Sequence, residues 1–567
     1  MSHDSIEFAA IESAADHEYY SNPIPHPAST ISKWHLLTVL EDLLRMPFIG
    51  MVDTSTQAVE SINDRSKYGL RHALNHITKK SDKKNDISKV PEKVIPSVYE
   101  RAFTLLKKGI DYERIFGFSS SMHSSHAELT SFKDHSQLTY ARFIDARYGA
   151  LELLDHGNEP FLDISTLLFK WLRSELSPPA VIDAINASVT IKKKKLNYDY
   201  GHMAVVLANE IFQRPIIIPD DLLFPWGTAN DTQALINSLL IRCAYHIIAV
   251  NESAARIGIS GGGEASLVLT ISKLDLCRDI SMFADIGEEK ISDFVDYLTY
   301  GYKTSTPDPA LQPIIPAKDI LLLPCLHTLT CNIQRNILAL FTRINPRDFD
   351  RQSYLFEKKM TDGLTKSLQR HSHFVANKEF FANDIQEEVD VVMADPNSKI
   401  VILMELRWIL QPGDAREVVN KMKECIKKIS QIERKTQFFN ANFHSLMNQA
   451  FPNLDVNDGA GWSAKGLVVL EGFGGILSNN PDFPIITSAA LKIGLQHVEN
   501  LSNLHDWVAS LHWLPTKNLH FEDAVGEVQI DNLELRFPGL NMNVTSDVYR
   551  KHINNSTSSY ISLERPI

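Results

Sequence analysis

The stretch from Glu387 to Trp408, EEVDVVMADPNSKIVILMELRW, sets strand-forming apolar residues on either side of a Pro-Asn-Ser turn and so predicts a β-hairpin. Before it, SYLFEKKMTDGLTKSLQ carries apolar residues at the spacing of one helical face. After it, DAREVVNKMKECIKKISQIERK predicts a long amphipathic helix, and GLVVLEG a further strand. Helix, hairpin, helix and strand in this order imply a mixed α/β domain.

Upstream the pattern changes. ISKWHLLTVLEDLLRMPFIGMV and SVYERAFTLLKKGIDYERIF have helical spacing and are separated by the polar TKKSDKKNDISKVPEK, whereas RPIIIPDD and EASLVLTISKLD read as strands. A chain of 567 residues exceeds what one hydrophobic core serves, so a multidomain α/β protein is expected. The expected order is a mainly helical domain over 1–200, a mixed α/β middle region over 201–345, an α/β domain over 346–530 and a C-terminal tail over 531–567.

The hairpin carries acids where a core should be apolar. Period-two alternation puts Glu388, Asp390 and Val392 on one face of its first strand, and Val401, Leu403, Glu405 and Arg407 on one face of its second. A loop of Pro396 to Lys399 sets Asp395 opposite Ile400, Asp390 opposite Glu405 and Glu388 opposite Arg407. Opposed carboxylates destabilise a strand pair unless a cation or a shared proton compensates, and a hard divalent cation such as magnesium meets that need. Two readings stay open at this level. The acids form a functional pair, or Glu388 and Arg407 form a cross-strand ion pair beside acids at a solvated sheet edge.

The flanking helices add charge. Glu357 shares a stripe with Met360, Leu364 and Leu368, so it is expected to point inward and to need a metal or a basic partner. In the later helix Val418, Met422, Cys425, Ile429 and Ile432 form the core stripe, leaving Lys421, Glu424, Lys428 and Gln431 along the adjacent flank. From Arg416 to Lys435 there are seven basic residues against three acidic ones, a strip suited to phosphate contact.

Glu357, then Asp390, then Glu405-Leu406-Arg407, then a helix carrying Gln431 resembles the PD-(D/E)xK superfamily of restriction-endonuclease-like nucleases. The resemblance implies a restriction-endonuclease-like mixed α/β domain that hydrolyses nucleic-acid phosphodiesters with magnesium or manganese, held by Glu357, Asp390 and Glu405. The motif's lysine position is Arg407 here. Arginine clamps a phosphate but is a poor proton acceptor, which makes Lys421 or Lys428 the candidates to supply an amine. The alternative is a catalytically inactive module of the same fold that binds nucleic acid or protein.

Net charge is -12, which excludes a protein coated in basic surface and confines the expected nucleic-acid contact, DNA favoured over RNA, to a local strip. The five cysteines include no Cys-x-x-Cys pair, so neither a disulfide framework nor a zinc ribbon is signalled and a cytoplasmic setting is expected. No membrane partner is expected, because MSHDSIEFAA lacks a signal-peptide pattern and the apolar INSLLIRCAYHIIAV is interrupted by Arg242 and His246. GISGGGEAS reads as a turn, His123, His126 and Glu128 as a polar loop, and Cys325, His327 and Cys331 as ordinary packing. Lys192 to Lys195 is a secondary candidate for anion contact, and the helical front half, with WHLLTVLEDLLRM and DISTLLFKWLRSEL, is a candidate protein-partner surface.

Overall fold

The computed structural model of the chain describes residues 3–46, 56–81, 86–142, 144–155, 183, 187–188, 190–192, 195–198, 200–201, 218–257, 267–368, 373–413, 415–454, 456, 461–472, 481–530 and 533–562. GISGGGEAS, DISTLLFKWLRSEL, Lys193, Lys194 and the first half of RPIIIPDD lie outside these residues. The chain is mixed α/β, with a helical N-terminal region and most of its sheet in the C-terminal half. It divides into two compact units that interleave in sequence: Met1–Phe8, Gly117–Asn158 and Ser353–Ile567 form one, and Ala9–Phe116 with Glu159–Gln352 the other. The expected division into four consecutive blocks is corrected accordingly. Long-range strand pairing, which local pattern does not reveal, carries residues near 130 into the C-terminal unit.

In the unit of residues 9–116 and 159–352, long helices Ser29–Arg45, Thr56–Lys80 and Ala229–Ile257 accompany a small antiparallel sheet of Val268–Ile271, Ile320–Pro324 and Ile315–Ala317. Cys325 and His327 lie in the buried helix Cys325–Thr330, whose first N–H groups, of Leu326 and His327, donate to the Glu41 carboxylate at 2.7 and 2.8 Å. Burial pushes His327 down to about 4, and Cys331 follows directly as the cap of this helix. Among the described residues one helix stretch, Ala229–Asn251, is long and apolar enough to cross a membrane by length and composition, and 83% of it is buried inside the protein.

The other unit carries the acidic hairpin; its elements are numbered within it. Strands β1 (Ala127–Ser131) and β2 (His135–Tyr140) precede helix α1 (Ala146–Asp155). Helix α2 (Tyr354–Leu368) is followed by β3 (Phe374–Ala382), β4 (Ile385–Asp395) and β5 (Ile400–Trp408), then by α3 (Ala415–Ala441), α4 (Phe443–Ala450), β6 (Ser463–Glu471) and β7 (Ile485–Thr487). Helices α5 (Ser488–His497) and α6 (Leu501–Ala509), strands β8 (Phe521–Ile530) and β9 (Leu533–Met542), and helix α7 (Ser546–Ser562) complete it.

Strands β3 to β7 form one sheet in sequence order, antiparallel from β3 to β5 and parallel from β5 to β7. Both faces are covered, which is why the inner strands β5 and β6 carry long buried apolar runs, over residues 401–404 and 467–470. On one face Met404, Leu406 and Val469 pack with α2, α5, α6 and α7. On the other Val392, Leu403 and Val468 pack with α3 through Met422, Cys425 and Phe439 and with α4 through Leu446 and Met447. The residues expected to form a tail supply β9 and α7 instead, with Tyr549 and Ile553 buried in the first of these cores. A second sheet, in the order β1, β2, β9, β8, joins residues near 130 to the chain end.

Candidate functional site

The hairpin forms with the expected register: Asp395 pairs with Ile400 and the ladder runs to Val391 opposite Met404. Its turn is closed by Asp395, whose carboxylate accepts from the Asn397 N–H at 3.0 Å and the Ser398 hydroxyl at 2.6 Å. The same register, carried one step further, sets Asp390 opposite Glu405, but there the two strands part. From Val389 back to Ile385, β4 is paired with β3 alone. At this fork Asp390 Oδ2 accepts the Leu406 backbone N–H at 2.6 Å, so a side-chain carboxylate takes the place of a ladder partner.

The β3 side of β4 is irregular at the same level. Asn377 falls in the gap between the pairs Ala376 with Val391 and Lys378 with Val389, and its φ of 50° is a left-handed conformation that asparagine tolerates. Alternation is broken there as well. Val389 and Val392 pack in the same core while Val391 and Met393 pack in the other, so the expected single face of Glu388, Asp390 and Val392 is corrected. Glu388 pairs across to Glu379 on β3, not to Arg407, and the alternative cross-strand ion pair of Glu388 with Arg407 does not form.

Glu405 is only 3% exposed, a placement that is costly for a carboxylate without counter-charge. Two lysines from α3 meet it. Lys428 Nζ donates to Oε1 at 2.7 Å and Lys435 Nζ to Oε2 at 2.5 Å. Asp390 beside it has its carboxyl pushed up to about 6, by burial first and by the Glu405 charge second, against the opposing pull of the Leu406 N–H and the two lysines. Its Oδ1 accepts no hydrogen bond from the described residues.

Helix α3 reaches Glu405 because the sheet gives way beneath it. A Cβ on Gly466 of β6 would stand 2.7 Å from Thr436 Oγ1 and 2.9 Å from Ile432 Cγ1, so only glycine lets this turn of α3 approach so closely. Asn440 then clips the helix to β6, donating to Ala464 O at 3.2 Å and accepting from Ala464 N–H at 3.0 Å. Between Gly466 and this clip the position of Lys435 is fixed.

Arg407 occupies a second cluster. Its guanidinium donates to Glu357 Oε1 at 2.6 Å and to Glu424 at 3.5 Å, while Lys421 donates to Glu424 at 3.1 Å. Burial alone would lower the Arg407 pKa, but the charges of Glu357 and Glu424 outweigh it and raise it. Next to it Phe356 of α2 stacks on Trp408 with ring centroids 3.9 Å apart, which fixes where Glu357 meets the strand end.

Of the expected site residues, the structure brings together Asp390, Glu405 and Lys428, and separately Glu357, Arg407 and Lys421. Gln431 is exposed on α3 and takes no part in either cluster. Lys435 and Glu424 complete the clusters; Lys421, Lys428 and Lys435 recur every seven residues, so the periodicity that singled out the first two extends to the third. Among the described residues no group of three or more His, Cys, Asp or Glu side chains converges on a point that would hold a metal ion, so Glu357 is not gathered to the other two acids. Asp390 and Glu405 nevertheless offer hard oxygens on adjacent strands, and magnesium commonly takes only one or two carboxylates together with a substrate phosphate. That donor set fits.

Comparison with protein-family models, with characterised proteins and with solved structures gives no match for this chain.

Proposed function

We propose that the unit containing the hairpin is a restriction-endonuclease-like domain that hydrolyses nucleic-acid phosphodiesters, DNA favoured over RNA, with magnesium or manganese. The observation that carries this reading is the Lys428 amine on Glu405 beside Asp390: two acids on diverging strands, with an ammonium supplied by the following helix in place of the residue at position 407. Asp390 and Glu405 would hold the ion. When bound, it supplies a water of lowered pKa and neutralises charge on the phosphate. Lys428 is placed to stabilise negative charge developing at the fork, and Arg407, which stays protonated, ties Glu357 to the end of β5.

The test is cleavage of single- and double-stranded DNA and RNA with magnesium or manganese. The wild type is expected to cut, with Asp390→Ala and Glu405→Ala each slower by on the order of 10²–10³-fold or more. Cuts of undiminished rate in both variants would remove these acids from the mechanism.

A second reading is a non-catalytic nucleic-acid-binding module of the same fold. It is favoured by the pairing of both Glu405 oxygens with lysines and of Arg407 with two glutamates. It predicts salt-dependent binding to nucleic acid with no turnover under any metal.

A further inference from the structure

Glu405 is held more tightly than an acid waiting for a cation would need to be. Each of its oxygens has its own ammonium, and with Asp390 the fork contains two carboxylates and two lysines, whose charges cancel. The two lysines are not equivalent. Lys435 has a side chain 10% exposed and sits on the turn fixed by Gly466 and Asn440, whereas Lys428 lies nearer the start of α3 with a side chain 16% exposed. A divalent cation and an ammonium compete for the same carboxylate oxygen, because each needs its lone pair and each disfavours the other's charge nearby.

We infer that Lys428 is an exchangeable counter-ion at Glu405, giving up Oε1 when a divalent cation binds, and that Lys435 is a positioning residue that stays on Oε2 and keeps Glu405 aimed at the fork. This rests on the metal-dependent reading above. Lys428 then has two stations. Without metal it neutralises Glu405; with metal its amine is released beside the fork, where a phosphate would lie. The device keeps the acid pair compensated before the cation arrives and presents the basic group only after the cation has entered.

The experiment is manganese binding to the full chain in the absence of nucleic acid, read by the electron paramagnetic resonance signal of free manganese and by titration calorimetry. Removing the competing ammonium in Lys428→Met is expected to tighten manganese binding by at least about tenfold, since loss of one unit charge a few ångströms away exceeds the energy of a tenfold change. Lys428→Arg, which restores the charge, is expected to return affinity to the wild-type range. Lys423→Met, removing the same charge from an exposed position on α3, is expected to leave it within about twofold. Lys428→Gln serves as the second variant where Lys428→Met loses its helical circular-dichroism signal. Wild-type binding that Lys428→Met and Lys428→Gln leave unchanged or weaken would overturn the exchange while leaving the metal site standing. Absence of manganese binding in every protein, or binding that Glu405→Gln does not reduce, would overturn both the exchange and the metal-dependent reading.

Discussion

Arg242 and Asp279 meet in one unit as a closed pair. The guanidinium donates to the carboxylate at 2.8 Å and to the Tyr198 hydroxyl at 2.9 Å, and its flat face lies 4.7 Å from the centre of the Tyr200 ring. In the other unit Glu405 has two cations to itself, while its neighbour Asp390 has a backbone N–H at one oxygen and, among the described residues, no hydrogen bond at the other. Both clusters centre on a buried carboxylate and both balance their charge. They differ in how the counter-charge is supplied: Asp279 faces one close guanidinium packed among tyrosine rings, whereas Glu405 holds two lysines and lies beside a second carboxylate. A single guanidinium–carboxylate pair packed among aromatic rings is built to hold elements together, whereas two acids with two separate lysines can exchange one counter-ion for a ligand.

The comparison is broken most sharply by removing one cation from each cluster. Arg242→Met strands the Asp279 carboxylate, whose remaining basic neighbour is the exposed Arg278 at 3.8 Å, and is expected to cost about 3–5 kcal/mol in urea unfolding. Lys435→Met leaves Glu405 still bonded to Lys428 and is expected to cost less, about 1–3 kcal/mol. Equal losses would mean that the two lysines do not share the Glu405 charge.

Gly466→Ala presses a methyl group into Ile432 and Thr436 and is expected to cost about 1–3 kcal/mol, with any cleavage falling further than stability alone predicts, because Lys435 is lifted off Glu405. Cleavage unchanged in a protein destabilised to that degree would show that this turn of α3 is structural only.

The smallest effect is the pH dependence of Asp390. Its folded carboxyl is raised from 3.8 to about 6, so the folded protein holds that proton longer than the unfolded chain does. This group's contribution is full below the unfolded value and is lost as pH rises between about 4 and 6. Asp390→Asn can still accept the Leu406 N–H through its amide oxygen, and it removes that loss. The variant is expected to gain about 2 kcal/mol relative to the wild type on going from pH 4 to pH 7, measured by urea unfolding at each pH. A difference between the two proteins that does not change with pH would place the Asp390 titration near its ordinary value.

The sequence by itself determined the local elements around the site. The four-residue turn fixed the register of β4 and β5, and the helical spacing of Met422, Cys425 and Ile432 fixed which side of α3 is buried, because both depend on neighbours a few residues away. It also placed Lys428 on the flank that faces Glu405. What it could not determine rests on contacts between distant segments. The left-handed Asn377 of β3 lies opposite Asp390, at the level where β4 leaves β5 and the alternation that the period-two pattern assumes is broken. The missing side chain of Gly466 lets α3 descend far enough for Lys435 to reach Glu405. Arg407 is drawn to Glu357 and Glu424 and not to Glu388, because β5 runs on past the end of its pairing with β4 and meets α2 and α3 instead. Residues 127–140 and 521–542 join one sheet, so the unit's boundary follows strand pairing and not chain order. Periodicity reports which side of an element is buried; only the folded chain decides which charge lies against it.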